Sequence, residues 1–291
     1  MAQIVGFAGK KQSGKNTACN FILAMKLAEL GVCIASRLSE AGEVEVRDVF
    51  GEKHEKLEWI PFRPPYVDVE ALFENELSNY IKIYGLADSL KEMAITILGL
   101  ERSQVFGTDE EKNSSTSLRW ENMPSVISPE EIKERGITKK DAASLGLLVH
   151  KSGPMTAREV LQYVGTDVFR KMNSNVWLDT LLSKIERDSP EVALVCDVRF
   201  ENEIKTLQKS GGFVVGLTRD PYKQSDKHVS ELEIEKCLKA CDFVLDNSNL
   251  AIAEQNEKIY YAVEHLENVV TSLVDQPTHS PEVSLEESAK A

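Results

Sequence analysis

The sequence predicts an α/β fold in which a mainly parallel β-sheet is flanked by helices on both faces. Three short apolar runs, at residues 3–8, 192–196 and 213–217, have the length and composition of buried strands. Helical spacing of apolar residues follows the first and second of these runs. Because strands that alternate with helices form parallel sheets covered on both sides, this order favours the α/β class.

The first predicted strand leads through a glycine turn into a helix. Residues 3–8 (QIVGFA) are apolar and β-prone, and residues 9–17 (GKKQSGKNT) form a polar, glycine-containing loop. Apolar side chains then recur at helical spacing from Ala18 to Ala28, and Gly31 stands where a helix C-cap is expected. Strand, turn and helix therefore follow one another in this order.

A hairpin and a loop are expected before the sheet resumes. Residues 32–50 hold two alternating runs around Ala41 and Gly42, which is the pattern of a β-hairpin. Residues 51–68 are mixed in character and contain several prolines, so a loop is expected there. The next expected elements are a helix at 69–79, a strand at 81–86, and a helix that Asp88 caps and that ends near Gly99.

The second half of the chain repeats the alternation of strands and helices after a polar interruption. Residues 107–153 are punctuated by Gly, Ser and Pro, which predicts a mobile or inserted region. The elements expected beyond it are helices at 156–164, 175–185, 201–209 and 250–274 and strands at 192–196, 213–217 and 242–245.

Residues 1–274 are expected to form a single domain. Segments at about 37–79 and 107–153 are expected to be insertions, and a lid is expected at about 219–233. The tail at 275–291 is rich in Glu, Ser and Pro and has few large apolar side chains, so it is predicted to be disordered.

Composition argues against several classes of function. The 291 residues carry a formal net charge of −13, which would repel DNA or RNA from the average surface. No apolar run approaches the roughly 18 residues that cross a bilayer. The N-terminus also lacks the pattern of a secretory signal, so a cytoplasmic protein is expected. The five cysteines lack a metal-binding spacing and are expected to be free thiols in a reducing cytoplasm.

A phosphate-binding pattern, Gly9-x4-Gly14-Lys15, lies between the first strand and the first helix. Glycines let successive backbone N–H groups surround phosphate oxygens, the helix N-terminus favours the anion, and the lysine adds positive charge. Asn16 stands where the pattern has the Ser or Thr that binds Mg²⁺, so whether Asn16 or Thr17 serves the metal stays open. The ATP-binding candidates are Gly9, Lys11, Ser13, Gly14, Lys15, Asn16 and Thr17.

Polar residues follow several predicted strands, at the edge where ligands bind in such sheets. Asp197 ends an apolar strand, a common place for a second carboxylate near Mg²⁺, although an N-cap for the next helix is the alternative. Planar guanidinium groups bind phosphate oxygens through paired hydrogen bonds, so a set of arginines suits transfer between two phosphates. Any one of them alone is better explained by surface ion pairing. The set is Arg158, Arg170, Arg199 and Arg219.

Two further residue types give weaker signals. His228 could suggest acid–base chemistry, but a loop histidine is more often solvated, and in-line phosphoryl transfer needs no histidine base. Trp177 and Phe169 could stack on a nucleobase, but aromatic residues at such spacing are more often part of a core.

Four blocks of the sequence together resemble the deoxynucleoside monophosphate kinases of tailed phages. The first is the loop GKKQSGKNT, in which Thr17 follows a variable residue after the lysine. The second is LADSLK at 86–91, and the third is AREVLQYVGTDVFRKMNSNVWLDTL at 157–181. The fourth is DVRFENEIKTLQKSGGFVVGLTRD at 197–220, followed by KHVSELE with His228, Ser230 and Glu231.

The resemblance implies a P-loop kinase fold and transfer of the γ-phosphate of ATP, with Mg²⁺, to a deoxynucleoside monophosphate. It implies catalytic roles for Lys15, Asp197, Arg199 and Arg219, the last from the lid, and metal binding by Thr17 and Asp197. The residues that it implies for acceptor binding are Asp88, Lys91, Arg158, Gln162, Gly165, Thr166, Asp167, Arg170 and Trp177.

The acceptor and the partners are only partly constrained by the sequence. Phosphomevalonate and dephospho-coenzyme A kinases are alternatives that share the donor loop, and a slowly hydrolysing nucleotide switch is a third. Small nucleotides are the expected partners, without a membrane or direct nucleic-acid contact. Two copies could pair through flat helix faces, and a phage-encoded chain would act in the host cytoplasm.

Overall fold

The computed structural model describes residues 2–49, 58–221, 236–266 and 269. Its strands are β1 (Gln3–Gly9), β2 (Cys33–Leu38), β3 (Val44–Val49), β4 (Ile60–Pro61), β5 (Ile81–Tyr84), β6 (Ser115–Arg119), β7 (Val126–Ile127), β8 (Leu148–Val149), β9 (Pro154–Thr156), β10 (Val192–Val198), β11 (Phe213–Leu217) and β12 (Phe243–Leu245).

The helices in chain order are α1 (Lys15–Glu29), α2 (Val69–Leu72), α3 (Asp88–Thr96), α4 (Arg102–Phe106), α5 (Asp109–Lys112), α6 (Pro129–Glu134), α7 (Lys139–Ser144), α8 (Ala157–Gln162), α9 (Val176–Asp188), α10 (Glu201–Lys209), α11 (236–240) and α12 (Ile252–Val263). π-Helical turns extend α2 over Phe73–Leu77 and α8 over Tyr163–Arg170. Among the described helices, none combines the length and the apolar character needed to cross a bilayer.

Five strands form a parallel sheet in the order β12-β11-β1-β10-β5. In the central strand, Val5 lies opposite Leu194 on one side and Phe213 on the other. The predicted parallel sheet is therefore confirmed, and so is the flanking of its faces by helices. Because all five strands run in one direction, the residues that follow β1, β5, β10, β11 and β12 meet at one edge.

Each face of the sheet supports its own apolar core. Side chains that alternate along β1 point to opposite faces, so Val5 joins a core with α1 and α12, whereas Ile4 joins a core with α9 and α10. On the first face Ile22 and Ile259 are fully buried, and on the second Ile204 is fully buried. These cores fix the strand ends that carry the candidate site.

The segment between α1 and β5 contains the predicted hairpin. Strands β2 and β3 pair antiparallel, with Cys33 opposite Val49, and β3 also pairs with β4. The prediction of a loop throughout 51–68 was therefore wrong at Ile60 and Pro61, where a short pairing with β3 outweighs the turn-forming character of the surrounding prolines. The hairpin turn reaches the start of α1, where Asn20 Nδ2 donates to the carbonyl of Gly42 at 2.8 Å.

A helical layer fills the segment between β5 and β10. Its core includes Leu90, Trp120, Met155, Val160 and Trp177. The prediction of a mobile or inserted region at 107–153 missed regular structure there, because its elements are too short to show periodicity. β6 pairs with β9, β7 pairs with β8, and α6 and α7 enclose a small core of their own.

Two other expectations are corrected by the structure. Cys19 and Cys196, which were expected to be free, form a disulfide with their Cα atoms 6.2 Å apart. The pairing was hidden because α1 packs on β10 although 177 residues separate the two cysteines. Asp88 is the first residue of α3 and not its N-cap, and its carboxylate accepts from the Gly85 amide at 2.7 Å.

Candidate active site

The phosphate loop owes its shape to backbone conformations that favour glycine. Gly14 has φ 98° and Gly9 has φ 151°, both in the positive region that side chains rarely adopt. A Cβ at Gly9 would lie 2.6 Å from the Leu217 carbonyl, and one at Gly14 would lie 2.9 Å from Gln255 Oε1. A side chain at Gly9 would collide with the backbone at the end of β11, and one at Gly14 would strain the backbone and push against the Gln255 side chain.

Lys15 is folded into this loop and is nearly buried. Its Nζ donates to the carbonyls of Gly9, at 2.9 Å, and Lys10, at 2.5 Å. Burial and the charge of Arg199 lower the pKa of Lys15 to about 8, although the charge of Asp197 opposes this shift. The ammonium group is therefore poorly solvated, and an anion in the loop would stabilise its charged form.

Two carboxylates lie near the turn after β5, and one of them, Asp197 of β10, is close enough to Lys15 to affect its pKa. Asp197 Oδ1 accepts from the Leu86 amide at 2.8 Å, while Asp88 accepts from the neighbouring Gly85 amide. Among the described residues, no cluster of three or more metal-ligating side chains occurs. This donor set fits Mg²⁺, because Mg²⁺ in kinase sites uses one or two carboxylates and completes its shell with water and substrate phosphates.

The two candidates at the start of α1 point in different directions. Asn16 is exposed, whereas Thr17 packs against the hairpin turn, where a Cβ on Gly42 would lie 2.6 Å from Thr17 Oγ1. The choice of Asn16 or Thr17 as a metal ligand stays a prediction.

A buried carboxylate holds two of the candidate arginines beside Asp197. Glu203 Oε1 accepts from Arg170 Nη2 at 2.9 Å, and Glu203 Oε2 accepts from the backbone amides of Arg199 and Phe200 at 2.9 and 3.1 Å. The guanidinium of Arg170 also lies over the ring of Phe200, 4.6 Å from its centroid. Burial raises the pKa of Glu203 despite these hydrogen bonds and the charge of Arg170.

A third arginine lies across from the exposed end of the loop. Arg158 Nη2 donates to Asp109 Oδ1 at 2.6 Å. The hydrogen bond and the charge of Arg158, with a further contribution from the charge of Lys11, lower the pKa of Asp109. Lys11 belongs to the phosphate loop and Arg158 to the helical layer, so Asp109 is influenced by charges from both candidate binding regions. Lys91 lies near them, 3.5 Å from Asp88 and over the ring of Phe106.

Comparison with known proteins agrees with this geometry. A family model described as deoxynucleotide monophosphate kinase matches residues 3–259. The chain belongs to this family. A protein of Acanthamoeba polyphaga mimivirus, provisionally named a deoxynucleotide monophosphate kinase, is 27% identical over 197 residues, which cover 62% of this chain and 82% of that protein. The deoxynucleoside-5'-monophosphate kinase of Escherichia phage T5 is 39% identical over 57 residues, which cover 19% of this chain and 23% of that enzyme.

Membership of the deoxynucleotide monophosphate kinase family confirms the resemblance drawn from the four sequence blocks. The chain is a phosphotransferase whose substrates are small nucleotides and whose phosphoryl donor is a nucleotide. The roles of individual residues stay predictions, and the structure shows how each is placed.

Some residues predicted to bind the acceptor of the kinase also have structural contacts. A Cβ at Gly165 would lie 2.6 Å from Leu90 Cδ2, and the Gly165 carbonyl accepts from Trp177 Nε1 at 3.1 Å. Trp177 is 8% exposed and packs against Phe169, so both belong to the core of the helical layer. Gln162 and Thr166 are exposed, and Asp167 pairs with Lys171 at 3.2 Å.

Arg219 follows β11 and is held by the loop between β12 and α12. Its Nε donates to the Asn247 carbonyl at 3.0 Å and its Nη2 donates to the Leu250 carbonyl at 2.6 Å. The next residue, Asp220, pairs with Lys10 of the phosphate loop at 2.5 Å. His228, Ser230 and Glu231, most of the predicted lid, and the tail lie outside the described residues.

Four residues of this site were missed by sequence reasoning. Glu203 has a local signal, because it stands three residues after the N-cap of α10, where capping-box glutamates occur. Asp109, Asn247 and Gln255 have none, because their partners at Arg158, Ser13 and Gly14 are distant in sequence.

Proposed function

We propose that this enzyme transfers the γ-phosphate of ATP, bound with Mg²⁺, to the phosphate of a deoxynucleoside monophosphate. An acceptor phosphate oxygen forms a bond to the γ-phosphorus, and the bond from that phosphorus to the β-phosphate oxygen breaks. The products are a deoxynucleoside diphosphate and ADP. The observation that carries the proposal is the glycine-shaped loop, in which the buried Lys15 Nζ donates to loop carbonyls and lies close enough to Arg199 and Asp197 for their charges to affect its pKa.

The donor half of the site is the loop from Gly9 to Thr17. Its backbone amides and the N-terminus of α1 suit the phosphates, and Lys15 would exchange its bonds to the loop carbonyls for phosphate oxygens. Asp197, with Asn16 or Thr17, would hold Mg²⁺, which when bound neutralises charge on the β- and γ-phosphates. Arg199 lies close enough to affect the charge of Lys15 and would stabilise the transferring group.

The acceptor half is formed by the helical layer and the turn after β5. Arg158 and Arg170 supply planar guanidinium groups suited to the oxygens of a monophosphate. Lys91 lies on the same side, and Gln162 and Thr166 present exposed polar groups on the helix that carries both arginines. Asp88, Gly165, Asp167 and Trp177 would act by shaping this pocket.

A coupled assay of ADP release tests the proposal. ATP and Mg²⁺ are supplied with each deoxynucleoside monophosphate in turn, with an acceptor-free control. We expect turnover that depends on a deoxynucleotide acceptor and that falls about 100-fold or more in Lys15→Ala, because a charge stabilising the transition state is removed. Lys139→Ala, an exposed lysine on α7, is the matched control and should keep full activity.

Different outcomes separate the alternatives. Turnover with phosphomevalonate or dephospho-coenzyme A, but with no deoxynucleotide, would contradict the proposed acceptor while keeping the donor site. ADP release without any acceptor would favour a nucleotide switch. Near-normal activity of Lys15→Ala would contradict the role given to the phosphate loop.

A further inference from the structure

A buried amide network ties the phosphate loop to the segment that follows β12, an outer strand of the sheet. Asn247, which follows β12, is completely buried, and Gln255 of α12 is 1% exposed. Asn247 Nδ2 donates to the Ser13 carbonyl at 2.8 Å and to Gln255 Oε1 at 2.6 Å. The Ser13 carbonyl can only accept and the backbone amide of Arg219 can only donate, so these two partners fix which end of the Asn247 amide faces the loop.

The direction of the Ser13 carbonyl decides the direction of the next backbone amide. The Ser13–Gly14 peptide is trans, because the cis bond found in the described chain is Pro64–Pro65. In a trans peptide the C=O and the N–H point to opposite sides. Holding the Ser13 carbonyl toward Asn247 therefore turns the Gly14 N–H away from Asn247, to the side of the loop that a phosphate would occupy.

The alternative orientation of this peptide would oppose phosphate binding. If the peptide flipped, a carbonyl oxygen would face the phosphate in place of an N–H donor. Gly14, at φ 98°, has the conformational freedom for such a flip, since no Cβ restricts it. Because Asn247 is fully buried, its hydrogen bond to Ser13 is shielded from competing water.

The same side chain also holds the start of the segment that carries Arg219. Asn247 Oδ1 accepts from the Arg219 amide at 2.8 Å, and its backbone carbonyl accepts from Arg219 Nε at 3.0 Å. The Asn247 side chain therefore donates to the phosphate loop through Nδ2 and accepts, through Oδ1, from the residue that follows β11.

We infer that Asn247, supported by its hydrogen bond to Gln255, is a positioning residue that holds the Gly14 amide toward the phosphates of the donor nucleotide. The inference rests on the proposed donor site. Its test is nevertheless separate from turnover, because it uses equilibrium binding of inorganic tripolyphosphate and of ATP, measured by calorimetry without an acceptor.

The test compares two neutral variants with a neighbouring control. Asn247→Ser replaces the amide with a shorter hydroxyl group and so removes the Nδ2 donor to Ser13. Gln255→Met keeps the volume of Gln255 but removes the acceptor of the second Asn247 Nδ2 hydrogen bond. We expect tripolyphosphate and ATP to bind between about twofold and tenfold more weakly in both, as for loss of one hydrogen bond. Asn256→Ala, which removes an amide from the same helix, should bind normally. The KM for the deoxynucleoside monophosphate should stay within about twofold of the wild-type value.

Circular dichroism establishes that each variant is folded, and if Asn247→Ser is not folded, Gln255→Met decides the test. Normal tripolyphosphate binding by a folded Gln255→Met, or by both variants, would overturn the inference. An equal rise in the KM of donor and acceptor would also overturn it, because it would indicate general damage. If the wild-type protein binds tripolyphosphate but phosphorylates no deoxynucleotide, the proposed function fails while the inference stands.

Discussion

Substitution of the buried Glu203 tests whether its carboxylate holds Arg170 and the start of α10 in position. It accepts hydrogen bonds from the guanidinium of Arg170 and from two backbone amides at the start of α10. The side chain of Glu203 is 4% exposed and that of Arg170 is 26% exposed. Removal of the carboxylate would leave a charge and two amides without their acceptor.

Two substitutions at this position should have different effects. Breaking a buried ion pair typically costs 3–5 kcal/mol. Because Arg170 keeps some contact with water, we expect Glu203→Ala to lower the free energy of unfolding by about 3 kcal/mol. Glu203→Gln should cost less, roughly 2 kcal/mol, because its amide oxygen can still accept from the two backbone amides and the isostere leaves no cavity, although its NH2 group then faces the Arg170 guanidinium.

The effect of Glu203→Gln on activity should be distinguishable from its effect on stability. Glu203→Gln keeps the fold but loses the charge that anchors Arg170, so the KM for the deoxynucleoside monophosphate should rise about tenfold, while the KM for ATP changes little. Urea denaturation followed by fluorescence gives the unfolding free energy, and initial rates give both KM values. Equal destabilisation by the two variants, or an unchanged acceptor KM in Glu203→Gln, would refute this reasoning.

Two further predictions concern charges at the two phosphate sites. The pKa of Lys15 is lowered to about 8, so its charge is present below this pH and is lost as the pH rises through it. ATP affinity, measured by calorimetry from pH 7 to 9.5, should therefore weaken above about pH 8 in the wild type but not in Lys15→Arg. A wild-type affinity that does not change with pH would contradict the lowered pKa of Lys15. Asp109→Asn should lower the acceptor KM by about two- to fivefold, because Asp109 competes with the acceptor phosphate for Arg158. Glu110→Gln on the same short helix is the control, and a raised KM in Asp109→Asn would show that Asp109 assists binding.

The local parts of the fold and site could be predicted from the sequence. The strand at residues 3–9, the glycine turn and the start of α1 are contiguous, so their pattern appears within a window of about 20 residues. The strands around Leu194 and Val215 were equally visible, because fully buried strands form continuous apolar runs. Their parallel arrangement followed from the helices between them.

The parts that were missed depend on contacts between distant segments. The pairing of Cys19 with Cys196 and of Arg158 with Asp109 requires knowledge of which elements pack together. Gly165 was correctly singled out from its sequence block, but its tight contact with Leu90 is made by the crossing of two helices. No local pattern marks Asn247, whose partner Ser13 is 234 residues away.

The partners of the arginines indicate which of them can change partners when substrate binds. Asp109, paired with Arg158, has a side chain that is 71% exposed, so both groups can exchange the pair for water or for phosphate. Glu203, paired with Arg170, is buried and also accepts from two backbone amides, so phosphate cannot displace it without breaking the start of α10. Arg170 is thus held in one position before substrate arrives, whereas Arg158 is available for exchange. In the proposed acceptor site, these carboxylate partners would neutralise the two arginines, and an acceptor phosphate would replace only the exposed Asp109.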